Sequence, residues 1–316
     1  MVYFVKNYFC KEESPNSTVV SSRRLFLNWL GIIISSGFLL LLIKGLFNKY
    51  NFQFKKIKIN VPQYVFKQPL KIIQISDIHS GSFNANIDLV KLIAEINQLK
   101  PDLVFFTGDL VNNVATEMTP ELKIIFKKIE AELGVFSILG NHDYGDYVNW
   151  DSEVAKEQNF QDLINCHKEL GWKLLRNENR IINTAKSEIP IHLIGVENWS
   201  HSKNFGQRGD IKKATEGLDK PGLKILLSHD PTHWQYQIKG KYPEILLTLS
   251  GHTHGMQFGI ENKWIKWSPV KYFYTYWAGL YQEQNQFLYV NRGLGCIGYQ
   301  GRVGILPEIT YLELNS

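Results

Sequence analysis

From residue 70 onward, short apolar runs alternate with segments of helical periodicity, and each apolar run ends in polar residues. Residues 70–75, 103–106 and 135–139 have the length and apolar composition of buried strands. Helical spacing appears between them, over residues 87–99 and 122–129. This β-α-β-α-β pattern predicts an α/β fold with polar residues at the carboxyl ends of strands, where open sheets bind ligands.

The second half of the chain has fewer helical segments. Its strand-like runs cover residues 179–182, 191–196, 223–227, 245–249, 287–290 and 309–313. Because few helices separate these runs, they favour a mixed sheet packed against the first. The chain is therefore expected to have an α/β (α+β) fold of two packed mixed β-sheets flanked by helices.

Side chains that can bind metal ions follow five of the predicted strands. Residues i and i+2 of an extended segment point the same way, so Asp77 and His79 can hold one ion together. A carboxylate has two oxygens, which allows Asp109 to bridge two ions. The remaining strand-end motifs are Gly140-Asn141-His142-Asp143, Ser228-His229-Asp230 and Gly251-His252-Thr253-His254-Gly255.

The distribution of histidines supports a site at the strand ends. Of nine histidines, five lie in these motifs, and His167, His192, His201 and His233 do not. Any one such residue is more often a hydrogen-bonded polar side chain than a ligand. The whole set, each member following an apolar strand, indicates a metal site.

In this order, the motifs D-x-H, G-D, G-N-H-D, a lone histidine and G-H-T-H resemble those of the calcineurin-like metallophosphoesterase family. The resemblance covers residues 70–316. Residues 251–257, 288–295 and 307–309 are similar to the membrane-anchored bacterial branch of that family, although Met256 stands where the branch commonly has a second glycine. The fold implied is the two-sheet sandwich of that family.

The resemblance also implies a ligand set and a proton donor. One metal would be held by Asp77, His79, Asp109 and His254, and a second by Asp109, Asn141, His229 and His252. His142 would be the proton donor. Carboxylate, amide and imidazole ligands suit Mn²⁺, Fe²⁺ or Zn²⁺ and do not discriminate among them.

Residues 25–43 form an apolar run close to the length of a bilayer-spanning helix, roughly 20 residues. We interpret it as a transmembrane anchor rather than a buried core helix, because it is uncharged and flanked by Arg23-Arg24 and Lys44. Residues 22–28, Ser-Arg-Arg-Leu-Phe-Leu-Asn, resemble the twin-arginine export signal, without an evident cleavage site.

Two signals disagree over the side of the membrane. Export would place residues 44–316 outside the cytoplasm, whereas the lysines after the anchor favour the inner side. These are Lys44, Lys49, Lys55, Lys56 and Lys58. We expect the extracytoplasmic face, because the export motif is the more specific signal. The expected organisation is a basic tail 1–24, an anchor 25–47, a linker 48–69 and a metallophosphoesterase domain 70–316.

The basic excess belongs to the N-terminal arm. Residues 1–69 contain ten Lys and Arg against Glu12 and Glu13, and the remainder has 25 basic and 28 acidic residues. A basic arm beside an apolar run indicates contact with a membrane surface, and a mildly acidic remainder argues against nucleic-acid binding. Cys10, Cys166 and Cys296 lack metal-like spacing and cannot build a disulfide framework.

Substrate contacts are less evident in the sequence. Arg292 could bind a phosphate through two hydrogen bonds, although a structural role is equally compatible. Trp264 and Trp267 begin an aromatic stretch that extends to Tyr281. Ordinary packing is one interpretation of this stretch. A wall for a lipid or nucleoside, or a lip at the membrane interface, is the other.

These observations predict a membrane-anchored binuclear metal-dependent hydrolase of a phosphodiester or pyrophosphate. The anchor favours a lipid-linked substrate, and the resemblance implies UDP-2,3-diacylglucosamine as a candidate. A non-catalytic metal-bound scaffold of the same fold is an alternative, and His142 argues against it, because a scaffold needs no proton donor. A phosphoprotein phosphatase is a second alternative, weakened because residues 108–113 lack the Asp-Arg pair of those enzymes.

Overall fold

The computed structural model of the protein describes residues 18–83 and 88–316. Cys10, Glu12, Glu13 and the residue Ile87 that begins an expected helix lie outside these ranges. The chain divides into two compact units, Met1–Lys44 and Gly45–Ser316. All of the candidate metal ligands belong to the second unit.

Helix α1 spans Thr18–Phe47 and contains the apolar run. The segment Ser22–Tyr50 is long and apolar enough to cross a membrane, and an 18-residue stretch within it has a mean hydropathy of 2.2. Large apolar side chains such as Ile33 and Leu40 are exposed, by 64% and 65%. By length and composition, α1 is a candidate membrane span.

The first sheet has the strand order β1-β14-β2-β3-β4-β5. Its strands are β1 Gln53–Asn60, β2 Leu70–Ile75, β3 Leu103–Phe106, β4 Val135–Ser137, β5 Lys173–Leu174 and β14 Glu308–Asn315. Strands β2 to β5 are parallel, so their carboxyl ends lie at one edge. Helices α2 Leu89–Gln98, α3 Pro120–Phe126 and α4 Glu153–Glu169 cover the outer face of this sheet.

The second sheet has the order β12-β13-β9-β8-β7-β6. Its strands are β6 Glu178–Ile182, β7 Ile191–Gly195, β8 Leu223–Leu227, β9 Ile245–Ser250, β12 Gly279–Glu283 and β13 Gln286–Val290. The four central strands are parallel, and β6 and β12 are antiparallel edges. The outer face is covered by α5 Ile211–Ala214, α6 Pro231–His233 and a π-helix Trp234–Ile238. A small hairpin is formed by β10 Ile260–Glu261 and β11 Lys266–Trp267.

The main core lies between the two sheets. Ile72 and Phe105 of the first sheet pack in one buried cluster with Ile225 and Leu247 of the second. Strands buried on both faces form near-continuous apolar runs, as the sequence of both parallel sets does. The expected fold of two packed mixed sheets flanked by helices is confirmed.

Two details differ from the sequence interpretation. Strand β14 was expected in the second sheet, and it pairs instead with β2 of the first sheet. Residues 53–60, expected within a linker, form the edge strand β1 parallel to β14. Lys56 and Lys58 on β1 reach Glu313 at 3.1 and 3.8 Å, while Ile59 is buried. The alternation of lysine and isoleucine in a basic stretch is that of an edge strand.

The second unit begins with a packed segment, residues 45–50. The main-chain N–H of Arg302 donates to the carbonyl of Gly45 at 2.8 Å. The ammonium of Lys49 donates to Oε1 of Gln300 at 2.8 Å. A Cβ atom at Gly45 would lie 2.6 Å from Cγ2 of Val303, so a larger residue does not fit there without movement. Residues 45–50 are therefore part of the folded second unit.

Candidate metal centre

The strand ends bring the predicted ligands together. The carboxyl ends of β2, β3 and β4 supply side chains from the first sheet, and those of β8 and β9 supply them from the second. Nearly all of these side chains are buried, and His142 and His252 are partly exposed. The converging residues are Asp77, His79, Asp109, Asn141, His142, His229, His252 and His254.

Asp77, His79 and His254 form the first group of ligand atoms. Nε2 of His79 lies 3.1 Å from Nε2 of His254, and Oδ1 of Asp77 lies 3.2 Å from the same nitrogen of His254. One carboxylate oxygen and two imidazole nitrogens therefore face a common point, an arrangement that a cation would stabilise.

Asp109, His229 and His252 form the second group. Oδ2 of Asp109 lies 3.1 Å from Nε2 of His229. Oδ1 of Asn141 lies 3.1 Å from that nitrogen and 2.8 Å from Nδ1 of His252. Oδ2 of Asp109 also lies 3.5 Å from Nε2 of His79, so one carboxylate oxygen is close to both groups.

Two of the imidazoles are oriented by hydrogen bonds at the ring nitrogen that faces away from the site. Nδ1 of His229 lies 2.7 Å from the carbonyl of Thr107, and because a carbonyl only accepts, this nitrogen carries the proton. Nε2 of His229 then faces Asp109 and is the nitrogen at which a cation would take the place of a proton. Nε2 of His252 lies 2.8 Å from the hydroxyl of Tyr274, which leaves Nδ1 for the site. Such contacts are typical of metal-binding histidines.

The backbone of the ligands is strained. Asp77, His79, Asp109, His252 and His254 all have positive φ, between 43° and 72°. Each such residue costs about 1–3 kcal/mol, and this conformation persists only where the surroundings impose it. Strain at five candidate ligands indicates that the fold holds them in fixed positions.

Electrostatics favour a cation at this place. Burial opposes charge on Asp77, yet the adjacent His254 lowers the pKa of its carboxyl to about 2. Burial also opposes charge on Asp109, whose pKa is nevertheless held well below its usual value by His229 and His142. Burial lowers the pKa of His229, but Asp109 outweighs this effect and raises it to about 10. Two buried carboxylates are thus anionic at neutral pH, and the donor set fits divalent ions.

His142 lies at the edge of both groups. Its main-chain N–H donates to Oδ1 of Asp109 at 2.9 Å, and its Nδ1 lies 2.6 Å from the carbonyl of Asn112. Its ring contacts those of His79 and Tyr147, with centroids 5.0 and 4.6 Å away. Because Nδ1 donates to Asn112, Nε2 is the nitrogen free to exchange a proton with a ligand.

Asp143 has a role that the sequence analysis missed. Its buried carboxylate accepts hydrogen bonds from the main-chain N–H groups of Gly140, Asp109 and Leu110 at 2.8, 2.9 and 2.8 Å. A Cβ atom at Gly108 would lie 2.5 Å from the main-chain nitrogen of Gly140, so the two loops touch. The sequence feature that could have indicated this role is the position of Asp143 as the fourth residue of the motif G-N-H-D.

A cavity of ≈ 540 Å³ opens beside the two groups. Five of the candidate ligands line it together with His142; they are His79, Asp109, Asn141, His252 and His254. Tyr236 of the π-helix contributes to the wall, and π-helical turns occur frequently at functional sites. Much of the remaining lining is apolar or aromatic, from Phe205, Met256, Val270, Phe273, Tyr274 and Ile297.

The structure corrects the predicted substrate contacts. Arg292 is only 3% exposed, and its guanidinium donates to Glu308 and, at 2.6 Å, to Glu261. It therefore has a structural ion-pair role. Trp264 is 83% exposed in the turn of the β10–β11 hairpin, and neither it nor Trp267 is among the described residues that line the cavity. Of the aromatic stretch, Phe273 and Tyr274 do so.

The family model of the calcineurin-like phosphoesterases matches residues 70–256. The chain belongs to this family. The resemblance inferred from the motifs is confirmed, and this metallophosphoesterase is a metal-dependent phosphoester hydrolase.

Several curated proteins are similar to this metallophosphoesterase. An uncharacterized metallophosphoesterase of Bacillus subtilis, YkuE, is 31% identical over 78% of this chain and 79% of its own. A Bos taurus transmembrane protein with a metallophosphoesterase domain is 31% identical, and the match covers 78% of this chain and 53% of that protein. UDP-2,3-diacylglucosamine pyrophosphatase LpxG of Chlamydia trachomatis is 29% identical over 75% of this chain and 81% of its own.

Among solved structures, the NAD nucleotidase of Haemophilus influenzae is similar with a TM-score of 0.49 and 16% identity. The match covers 72% of this chain and 46% of that chain.

Proposed function

We propose that this protein is a binuclear metal-dependent hydrolase that cleaves a phosphodiester or pyrophosphate in a lipid-linked substrate, such as UDP-2,3-diacylglucosamine. The observation that carries the binuclear proposal is the position of Oδ2 of Asp109, 3.1 Å from Nε2 of His229 and 3.5 Å from Nε2 of His79. A carboxylate between two groups of donors is the arrangement that a pair of ions requires.

The proposed ligands divide into two sets that share Asp109. The first ion would be held by Asp77, His79, Asp109 and His254, and the second by Asp109, Asn141, His229 and His252. Mn²⁺, Fe²⁺ and Zn²⁺ all suit these donors. When bound, such a pair of ions activates water and stabilises charge on phosphoryl oxygens.

His142 is proposed as the proton donor to the leaving oxygen. Its Nδ1 is committed to the carbonyl of Asn112, so only Nε2 can transfer a proton to a substrate in the cavity. Asp109 accepts the main-chain N–H of His142, which fixes the ring beside the proposed ions. Proton transfer of this kind typically contributes about 10²–10⁴-fold to the rate.

The lipid-linked substrate is supported by three observations. The cavity beside the ligands has an extensive apolar wall that includes Phe205 and Phe273. Helix α1 is a candidate membrane span. The chlamydial relatives are named as UDP-2,3-diacylglucosamine pyrophosphatases.

We also propose that residues 45–316 lie on the extracytoplasmic face, on the strength of the twin-arginine-like motif. Accessibility of the second unit to added protease in spheroplasts checks this orientation.

A hydrolysis screen tests the function. The full chain in detergent micelles is stripped of metal, reloaded with Mn²⁺, and assayed on bis-nitrophenyl phosphate, a UDP-sugar and a UDP-linked diacylated glucosamine. We expect metal-dependent cleavage, two ions per chain, and the highest kcat/KM for the acylated substrate. No Mn²⁺-dependent hydrolysis of any substrate would refute the function. Equal rates on the UDP-sugar and its acylated form would refute the lipid preference alone.

A further inference from the structure

Arg302 is fully buried, and its guanidinium donates hydrogen bonds to main-chain carbonyls in two loops of the second unit. Nη1 donates to the carbonyls of Arg292 at 2.8 Å and His254 at 3.3 Å. Nη2 donates to the carbonyls of Gly293, at 3.2 Å, and Gly295. One side chain therefore joins the carbonyl of His254, in the loop 252–255, to the loop 291–295.

The loop 291–295 in turn touches the segment that carries Asp77. The main-chain N–H of Gly295 donates to the carbonyl of Asp77 at 2.8 Å, and that of Leu294 donates to Ser76 at 2.9 Å. A Cβ atom at Gly293 would lie 2.7 Å from Cβ of Asp77 and 3.3 Å from Cε1 of His254. The loop 291–295 thus packs between Asp77 and His254, two proposed ligands of the same ion.

The positive charges of the buried Arg302 and Arg292 are compensated by different groups. Arg292 pairs with Glu308 and Glu261, whereas no carboxylate of the described residues lies within ion-pair distance of Arg302. Burial lowers the pKa of Arg302, because the charged guanidinium is removed from water. Its burial is compensated by the four carbonyls, because a buried charge needs hydrogen-bond partners. Lysine has one ammonium on a flexible stem and cannot reproduce the planar fork that reaches both loops.

Nη2 of Arg302 also lies 3.3 Å from Nδ1 of His254. The two N–H groups of Nη2 are already directed to the carbonyls of Gly293 and Gly295. Its effect on His254 therefore comes through the main chain of that residue, whose φ of 49° must be held by its surroundings.

We propose that Arg302 is a positioning residue for the proposed ion held by Asp77, His79 and His254. It acts by fixing the carbonyl of His254 and the loop against Asp77. None of its hydrogen bonds reaches Asn141, His229 or His252 among the described contacts, so its influence is selective for one of the two ions. The inference rests on the proposed binuclear function.

The test compares the two Mn²⁺ affinities of the full chain in detergent micelles. Wild type, Arg302→Lys and Arg302→Met are titrated with Mn²⁺, and kcat and KM for bis-nitrophenyl phosphate are measured over the same range. We expect both variants to weaken one ion by about 10–100-fold, the usual effect of residues that orient ligands, and to leave the other ion unchanged. Excess Mn²⁺ should recover kcat in Arg302→Lys.

Leu226→Ala is the matched control, because Leu226 is fully buried in the cluster on the outer face of the second sheet. It should lower Tm and leave both affinities unchanged. Equal weakening of both ions in the Arg302 variants, or wild-type affinities in them, would overturn the inference. If Arg302→Met does not fold, Arg302→Lys decides, and failure of both to fold would make Arg302 a determinant of folding rather than of ligand position. A wild-type protein that binds no Mn²⁺ would instead refute the proposed function.

Discussion

The carboxylate of Asp143 accepts the main-chain N–H of Asp109 at 2.9 Å. It accepts the N–H groups of Gly140 and Leu110 as well, and so joins the loops after β3 and β4. Burial and the charge of Asp109 raise the pKa of Asp143 to about 7. The proposed bridging ligand is therefore positioned by a carboxylate that does not itself face either proposed ion.

We expect Asp143→Ala to lower Tm and Mn²⁺ affinity together, because three buried N–H groups lose their acceptor at a cost of about 1–3 kcal/mol each. Thermal unfolding and Mn²⁺ titration measure the two effects. The control is Asp162→Ala, an exposed carboxylate on α4. Unchanged Mn²⁺ affinity in Asp143→Ala would show that the two loops keep their positions without it.

Asp109→Asn should remove more activity than any change at a ligand of one ion, since Oδ2 of Asp109 is close to both groups. We expect a loss of more than about 100-fold, the upper range for residues that only orient a ligand. Metal analysis should find fewer than two ions per chain, whereas Asp162→Asn retains both. An Asp109→Asn protein with two ions and full turnover contradicts the bridging role.

His142→Ala should preserve metal content and slow substrates with poor leaving groups by about 10²–10⁴-fold. Nitrophenyl esters should be affected far less, because their leaving group needs no proton. Turnover of nitrophenyl and alkyl esters is compared, with His201→Ala as control, since His201 also lines the cavity and stacks on Tyr236. The same loss on both esters would remove His142 from the acid role.

The sequence was most informative where local patterns decide the structure. Strands buried on both faces were located to within one or two residues, because their apolar runs end in polar motifs. Local patterns do not reveal which residues or strands pair with partners far away in the sequence. The role of Arg292 was left open between phosphate binding and structure, because nothing local reveals its pairing with Glu261 and Glu308. Likewise, β1 was taken as a linker because its partner, β14, lies at the other end of the domain.

The cavity changes which aromatic residue should matter for an acylated substrate. Phe273 is 73% exposed and lines the cavity, and Trp264 does not line it. Loss of about 50 Å² of apolar contact corresponds to about 1.2 kcal/mol, or roughly eightfold in KM. We therefore expect Phe273→Ala to raise KM for the acylated substrate only, and Trp264→Ala to change neither. An equal effect of both variants would exclude a specific acyl contact at Phe273.

Removal of the anchor should depend on where the chain is cut. A protein lacking residues 1–44 retains Gly45 and Lys49, whereas one lacking residues 1–50 loses their hydrogen bonds to Arg302 and Gln300. At about 1 kcal/mol for each bond, the longer deletion should lower Tm by about 4–8 °C relative to the shorter. Differential scanning calorimetry of the two proteins in the same detergent tests this. Equal Tm values would show that residues 45–50 contribute nothing to the stability of the second unit.

The pairing of β1 with β14 has a consequence for synthesis. Gln53 lies opposite Glu308 and Asn60 opposite Asn315, so β14 fills the space between β1 and β2. Until residues 308–315 have left the ribosome, both neighbouring strands keep unpaired edges that can bind other chains. Such distant contacts also form slowly. A nascent chain that stops before residue 308 is thus an aggregation hazard, and the eight-residue strand β14 is the element that closes the first sheet.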